Sequence, residues 1–296
     1  MSAPRIDARA ARQRFERAAS TYGGVAVLAR EVERRMAERL EYIRHDPHWV
    51  LDAGCGPGEG LGLLRARYPK ARLIGLDIAQ AMAHTARRNR TLRGRARELF
   101  FATPCHHLCG DLARLPLGAA SVDMVWSNLA LSWAAEPLAA LSELGRVLKP
   151  NGLLMFSTYG PDTLKELRGA FAGVDGYAHV HSFIDMHDLG DMLMAAGFAE
   201  PVMDMEMVTL SYADVAALVR DLRLSGQSNV DVGRRRGLMA PGAWSKMVAA
   251  YEASRREGRL TAAFEIVYGH AWKTAARVRA DGAHVVKTDF PLQKTK

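Results

Sequence analysis

Seven apolar runs of strand length are spaced along the chain, and helical patterns separate most of them. Residues 50–52, 71–76, 105–109, 121–129, 153–156, 201–210 and 260–272 read as strands. Helical periodicity covers 8–44, broken at Gly23 and Gly24, then 60–67, 137–148, 163–171, 186–196, 212–224 and 243–256. Strands that alternate with helices imply a parallel sheet with helices on both faces. The last two strands suit an antiparallel hairpin at one edge of that sheet. The expected fold class is therefore α/β: a seven-stranded, mostly parallel, doubly wound (Rossmann-like) sheet with an antiparallel edge strand. Helices at 1–48 would form a lid, 49–159 a ligand-binding core, and 160–296 helical insertions and the closing strands, all in one compact domain.

The ends of the strands carry the chemistry. The first run passes through Asp52 into Gly54-Cys55-Gly56-Pro57-Gly58 and then a helix. Glycines at alternate positions let backbone approach a ligand closely, and the helix start offers free N–H groups. The spacing excludes two common nucleotide loops. Glu59 breaks the Gly-x-Gly-x-x-Gly dinucleotide register, and no Gly-Lys-Ser or Gly-Lys-Thr closes a phosphate loop. Asp77 ends the second strand roughly 20 residues further on, where an acid accepts hydrogen bonds from both ribose hydroxyls. Ile78 and Met82 follow and suit an adenine face. Asp111, in Gly110-Asp111-Leu112, stands at the third strand end, where a carboxylate accepts from an adenine amino group. Asn128 and Leu129 close the fourth, at the carboxyl edge where open α/β sheets bind ligands. Tyr22, beside the Gly23-Gly24 hinge, is a candidate lid residue.

Composition narrows the class. The hydrophobic fraction of 49% and charged fraction of 24% are ordinary for a globular protein, and no apolar stretch is long enough to span a membrane. Cys55, Cys105 and Cys109 cannot build a disulfide framework, which suits a reducing, cytoplasmic setting. The Cys105-His106-His107-Leu108-Cys109 run invites a metal reading. On a strand, however, its ligands divide between two faces, and no second cluster completes a zinc site. The net charge of +8 is concentrated in arginines at 87–97 and 234–236. No aromatic residues interleave with them, so neither block reads as a base-stacking nucleic-acid platform.

Asp-x-Gly-x-Gly-x-Gly resembles the first motif of class I S-adenosylmethionine (SAM) methyltransferases, and the run 51–156 resembles their core. Over about 11–273 the chain is similar, more narrowly, to the malonyl-acyl-carrier-protein O-methyltransferases of biotin biosynthesis. The phrases that carry this are Arg14-Phe15-Glu16-Arg17-Ala18-Ala19 with Tyr22, Leu115-Pro116-Leu117 and Trp126-Ser127-Asn128-Leu129-Ala130. They continue with Gly160-Pro161-Asp162-Thr163-Leu164-Lys165-Glu166-Leu167 and Phe183-Ile184-Asp185-Met186-His187-Asp188. Two phrases depart from the family. Ser132, where members usually have Gln, precedes Trp133, and Gly226-Gln227-Ser228-Asn229 stands where many read Gly-Ala-His-Asn. The Asp-Thr-Leu-x-Glu-Leu phrase is also similar to a methyltransferase-fold arginine hydroxylase that assembles a respiratory complex, and this is the alternative reading.

The resemblance implies SAM as co-substrate and malonyl-acyl carrier protein, or malonyl-CoA, as partner. A carboxylic acid with a pKa near 4 is already the nucleophile at pH 7, so no general base and no metal is expected. The cofactor would be held by Asp52, Gly54, Gly56, Gly58, Asp77, Ile78, Met82, Asp111, Leu112, Asn128 and Leu129. Tyr22, Trp133 and Tyr159 are expected to wall the acceptor site, with Arg223 holding its carboxylate. His179 and His181 read as surface loop residues. A positive rim for an acidic carrier is expected at Arg220, Arg223 and Arg234-Arg235-Arg236, with the 87–97 arginines at the far sheet edge.

Overall fold

The computed structural model describes residues 5–89 and 103–274. All seven apolar runs become strands of one sheet: β1 (Trp49–Ala53), β2 (Arg72–Asp77), β3 (Cys105–Cys109), β4 (Val122–Ser127), β5 (Leu148–Tyr159), β6 (Phe198–Tyr212) and β7 (Leu260–Lys273). Their order is β3-β2-β1-β4-β5-β7-β6. The first five run parallel, and β7 is antiparallel to both of its neighbours. The expected antiparallel pair is thus present, with the reversed strand one place in from the edge that β6 forms. Ten helices lie between or before the strands among the described residues. They are α1 (Ala8–Ala18), α2 (Tyr22–Val25), α3 (Val27–Leu40), α4 (Glu59–Arg67), α5 (Gln80–Arg88), α6 (Pro137–Val147), α7 (Lys165–Phe171), α8 (Met186–Ala195), α9 (Val215–Leu224) and α10 (Pro241–Glu252).

Strand residues are apolar on both sides because both sides are covered. Val50, Leu73, Met124 and Met155 meet Val32, Met36 and Leu40 of α3 and Leu61 and Leu64 of α4. Their chain neighbours Leu51, Ile74, Val125 and Leu154 point the other way, onto Leu141 and Leu144 of α6 and Leu189 and Leu193 of α8. Each long strand is interrupted where its sequence breaks the ladder. The Lys149-Pro150-Asn151-Gly152 segment is an irregularity within β5. Leu148 pairs with Val122, then the register shifts before Leu153 meets Met124. Pro201 sits at a register shift of β6, an edge strand, where its missing N–H costs no ladder bond to a second neighbour.

The N-terminal helices have no strand of their own and take two positions. Arg35 and Arg39 of α3 pair with Glu206 and Asp204 of β6, each at 2.7 Å, fixing that helix across the far side of the sheet. Helix α1 instead crosses the carboxyl ends of the strands. Its Ala18 and Ala19 pack on Ala79 and Met82. Both carboxylate oxygens of Glu16 accept backbone N–H groups of Gln80 (2.7 Å) and Ala81 (2.9 Å), capping α5 from outside. Among the described residues, no helix is long and apolar enough to cross a membrane.

Candidate active site

The first turn is shaped by what surrounds it. Gly54 has φ +87°, and a Cβ there would overlap the Cβ of Ala130, in the loop after β4. The amides of Gly54 and Cys55 donate to the Leu76 carbonyl (2.7 and 2.9 Å), drawing the turn onto the end of β2. Asp77 completes the join. One carboxylate oxygen accepts from the Gly56 amide (2.9 Å), the other from the Ala79 amide (2.8 Å). Burial pushes this carboxyl up to about 6, against the pull of those two donors.

A cleft enclosing about 710 Å³, part of it open to solvent, lies over this junction. Gly54, Gly56, Asp77, Ile78, Met82, Asp111, Leu112, Asn128 and Leu129 line it as expected, and Tyr22 and Trp133 close it. Sequence reasoning missed Phe15, Leu76, Ala130, Ala134 and Gln227. Phe15 belongs to the same helical face as Ala18, Ala19 and Tyr22, and its ring meets the Trp133 ring edge-on at 5.1 Å. That shared face was the available signal for it.

Four expected residues stand elsewhere. Asp52 lies buried beneath the turn and Gly58, with φ +90°, opens α4 against Ala86; neither lines the cleft. Tyr159 lines a second cavity of about 370 Å³, which shares Trp133 and Gln227 with the first. Arg223 is exposed on α9 and lines neither cavity, because the neighbouring Leu222 is the residue that turns inward. Asn128 lines the cleft, yet its amide is committed to structure. It donates to the Ala29 carbonyl (2.9 Å) and accepts from the Ser157 hydroxyl (2.7 Å).

The loop histidines are not surface residues. His181 is 3% exposed and, with His179, lines the second cavity. His179 bonds Asp175 at 2.7 Å and stacks on Phe171 at 3.6 Å. Burial of a loop is decided by what folds over it, here α9 and β7, which lie far away in sequence. Arg234 and Arg235 also differ from the expected free rim, since they pair with Asp7 (2.8 Å) and Asp175 (3.2 Å). Arg87 and Arg88 end α5, which packs on the outermost strand β3; residues 90–97 lie outside the described residues. Among the described residues no cluster of His, Cys, Asp and Glu could hold a metal ion.

The electrostatics favour a cation. Among the described residues, no Lys or Arg lines the cleft, as phosphate recognition would require. Asp77 lines it, and the buried carboxyls of Glu33 and Asp52 lie close by, against Gly60. Burial, with Glu33, Asp77 and Glu59 nearby, raises the Tyr22 phenol above its usual range, so it stays a neutral donor. A glycine cradle, the strand-end acids Asp77 and Asp111 and apolar covers fit the sulfonium and nucleoside of SAM.

Comparison with known proteins agrees. Residues 51–156 match the Methyltransferase domain family. The fold is shared with the YcgJ protein of Bacillus subtilis, which is 15% identical with a TM-score of 0.55 over 83% of this chain and 99% of that one. A malonyl-[acyl-carrier protein] O-methyltransferase of Laribacter hongkongensis is 54% identical over 93% of this chain and 94% of its own length. A protein of the same name from Gallionella capsiferriformans is 52% identical over 97% and 98%. A chain so similar over nearly its whole length, with a cleft over the glycine turn at the strand ends, belongs to the malonyl-[acyl-carrier protein] O-methyltransferase family of SAM-dependent methyltransferases.

Proposed function

We propose that this enzyme methylates the free carboxylate of a malonyl thioester carried on acyl carrier protein. The observation that carries the reading is the pair of cavities meeting at Trp133 and Gln227, one lined by the glycine turn, Asp77 and Asp111, the other largely apolar with a few polar groups. Bound SAM supplies an electrophilic methyl group on a sulfonium. The acceptor carboxylate is ionised at neutral pH, so the protein's task is alignment and exclusion of water. Holding two reactants in line is worth about 7–11 kcal/mol. Tyr22 and Trp133 shield the first cavity, and Tyr159, Phe183 and Phe264 make the second a rigid apolar slot. No side chain has to take a proton. Incubating malonyl-carrier protein with enzyme and SAM should give a carrier heavier by one methylene, read by mass spectrometry. Unchanged carrier mass with cofactor bound would refute the reading.

Two features support a carrier-borne acceptor in a covered site. Arg14 and Arg17 on α1 and Arg223 on α9 form a cluster whose mutual repulsion, after burial, lowers the Arg14 guanidinium; Arg234 adds to it. Arg14 adjoins Phe15 of the first cavity, and Arg223 adjoins Leu222 of the second. We read these as a positive rim at both mouths, which keeps the expected Arg223 and adds Arg14 and Arg17 of α1. Reversing Arg14, Arg17 and Arg223 to Glu is expected to cut kcat/KM for malonyl-carrier protein about tenfold or more at low salt, and to spare a small malonyl thioester. Equal loss on both substrates would count against the rim.

The second feature is the clasp that holds α1 down. Glu16→Ala removes both acceptors at the start of α5 and frees the roof formed by Phe15 and Tyr22. The expected result is a SAM Kd raised about tenfold in calorimetry. An unchanged Kd would show that the roof does not depend on this clasp.

A further inference from the structure

We infer that the acceptor's carboxylate is recognised by two uncharged donors, the Gln227 amide and the His181 imidazole, and not by an arginine. This rests on the carboxyl-methyltransferase reading and names how that site selects its acid.

Gln227 and Trp133 are the residues that line both cavities, so the Gln227 side chain stands where methyl donor and acceptor must meet. Its amide is oriented from behind. The Tyr159 hydroxyl donates to Gln227 Oε1 at 2.8 Å. Tyr159 is itself fixed, 2% exposed, with its ring against Phe183 (5.4 Å) and Phe264 (6.1 Å). With Oε1 taken, the Gln227 NH₂ group is left as a donor that has no partner among the described residues. Tyr159 acts here as a positioning residue.

His181 supplies the second group. Its ring lies between Trp133 (5.0 Å) and Phe183 (4.5 Å), and its buried Nε2 has no hydrogen-bond partner among the described residues. A buried polar atom without a partner is costly, and a ligand in the second cavity would satisfy it. Burial, and secondarily Arg168, holds this imidazole down at about 4, so at neutral pH it is uncharged and carries one N–H. Among the described residues, no Lys or Arg lines the second cavity. Arg168 spends its guanidinium on the carbonyls of Pro161 and Thr163.

Uncharged donors suit the reaction. The carboxylate loses its charge as the ester forms, so a guanidinium clamp would hold the starting anion more strongly than the transition state. Amide and imidazole N–H groups orient one carboxylate oxygen and leave the other its nucleophilicity. The Gly226-Gln227-Ser228-Asn229 sequence places this amide beside both cavities.

The test uses the full enzyme and malonyl-N-acetylcysteamine, a small thioester that needs no carrier docking. Gln227→Ala and His181→Phe should each raise its KM about tenfold or more, with the Kd for SAM changed less than about twofold. His181→Asn, which restores a neutral N–H, should recover part of the loss. Tyr159→Phe should raise KM in the Gln227 background and add little in Gln227→Ala. Arg168→Ala and Arg223→Ala should leave the KM unchanged. Should His181→Phe fail to fold, Gln227→Glu, which sets an anion against the carboxylate, keeps the question open to measurement and should lose the acid substrate. Unchanged KM in the Gln227 variants, parallel loss of SAM affinity, or a large effect of either arginine would overturn the inference. If the unaltered enzyme does not methylate the thioester or malonyl-carrier protein, the underlying reading fails and this one with it. If it does and the variants behave like it, only the neutral-donor assignment fails.

Discussion

Asp77→Ala is expected to weaken SAM binding on the order of 100-fold. The residue is placed to serve two sets of donors. Its oxygens already accept from Gly56 and Ala79, which joins the glycine turn to the start of α5. The remaining lone pairs of a carboxylate at this strand end are those that would accept from ribose hydroxyls. Hydrogen bonds to a charged group contribute about 1.5–3 kcal/mol each, so losing one or two to the ligand accounts for the expected drop. The apoprotein should also melt earlier, because two backbone N–H groups lose their partner. Titration calorimetry checks the first effect and thermal denaturation the second. An Asp77→Ala protein that melts lower but binds SAM with unaltered affinity would confine Asp77 to holding the turn.

Glu33→Gln is expected to make the protein more stable at pH 8 and to change it little at pH 5. Glu33 of α3 and Asp52 of β1 converge on Gly60, where a Cβ would strike Glu33 Oε1 and come within 3.0 Å of Asp52 Oδ2. Among the described residues, Asp52 Oδ2 has no hydrogen-bond partner, and Glu33 has only the Trp126 indole at 3.3 Å. Burial pushes Glu33 up to about 7, with Glu59 adding to the rise and the indole opposing it. Burial, then Glu33 and Asp77, pushes Asp52 well above the carboxylate range. The folded chain therefore keeps a proton that the unfolded chain releases above about 4.5. The stabilisation is complete below that pH and is lost as the pH rises through about 7. Taken over that window, the effect of Glu33 is roughly 3 kcal/mol. Glutamine carries no charge to bury, and its amide can donate to Asp52. Melting temperatures at pH 5 and 8 decide the matter: an equal decline in both proteins would remove the pair as its cause. The pair lies beneath a cleft suited to a cation, and Glu33 adds negative charge there only as the pH rises through about 7, which gives a reason for a costly arrangement to persist.

The strand ends were legible because the signal there is local. A run of apolar residues says where a parallel strand stops, and the residue after it faces the site whatever the helices do. Gly54, Asp77, Asp111 and Asn128 could be named in that way, and all four line the cleft. The second cavity was not legible. Its walls come from the loop before α8, from α9 and from β7, and no periodicity in one segment reveals that another will cover it. His181 has the sequence context of a loop residue and the surroundings of a core residue. Arg223 and Leu222 show a finer limit. The helix was identified, but a one-residue difference in phase decides which side chain points inward and which meets solvent. Arg234 and Arg235 read as free charge because their partners, Asp7 and Asp175, are distant in sequence. Only tertiary structure turns a charge run into a pair of tethers.

The place of β7 bears on how the chain is made. Protein synthesis delivers β6 before β7, yet β6 pairs with β7 alone, and the outer edge of β5 is also paired by β7. Until residues 260–273 leave the ribosome, the nascent polypeptide holds an open edge on β5 and an unpaired β6 bearing exposed apolar side chains such as Val202, Met205 and Met207. Open edges of this kind recruit strands from other chains, and crowded polysomes supply them. The order of translation thus sets an interval of vulnerability to misassembly, and one late insertion between two waiting strands ends it.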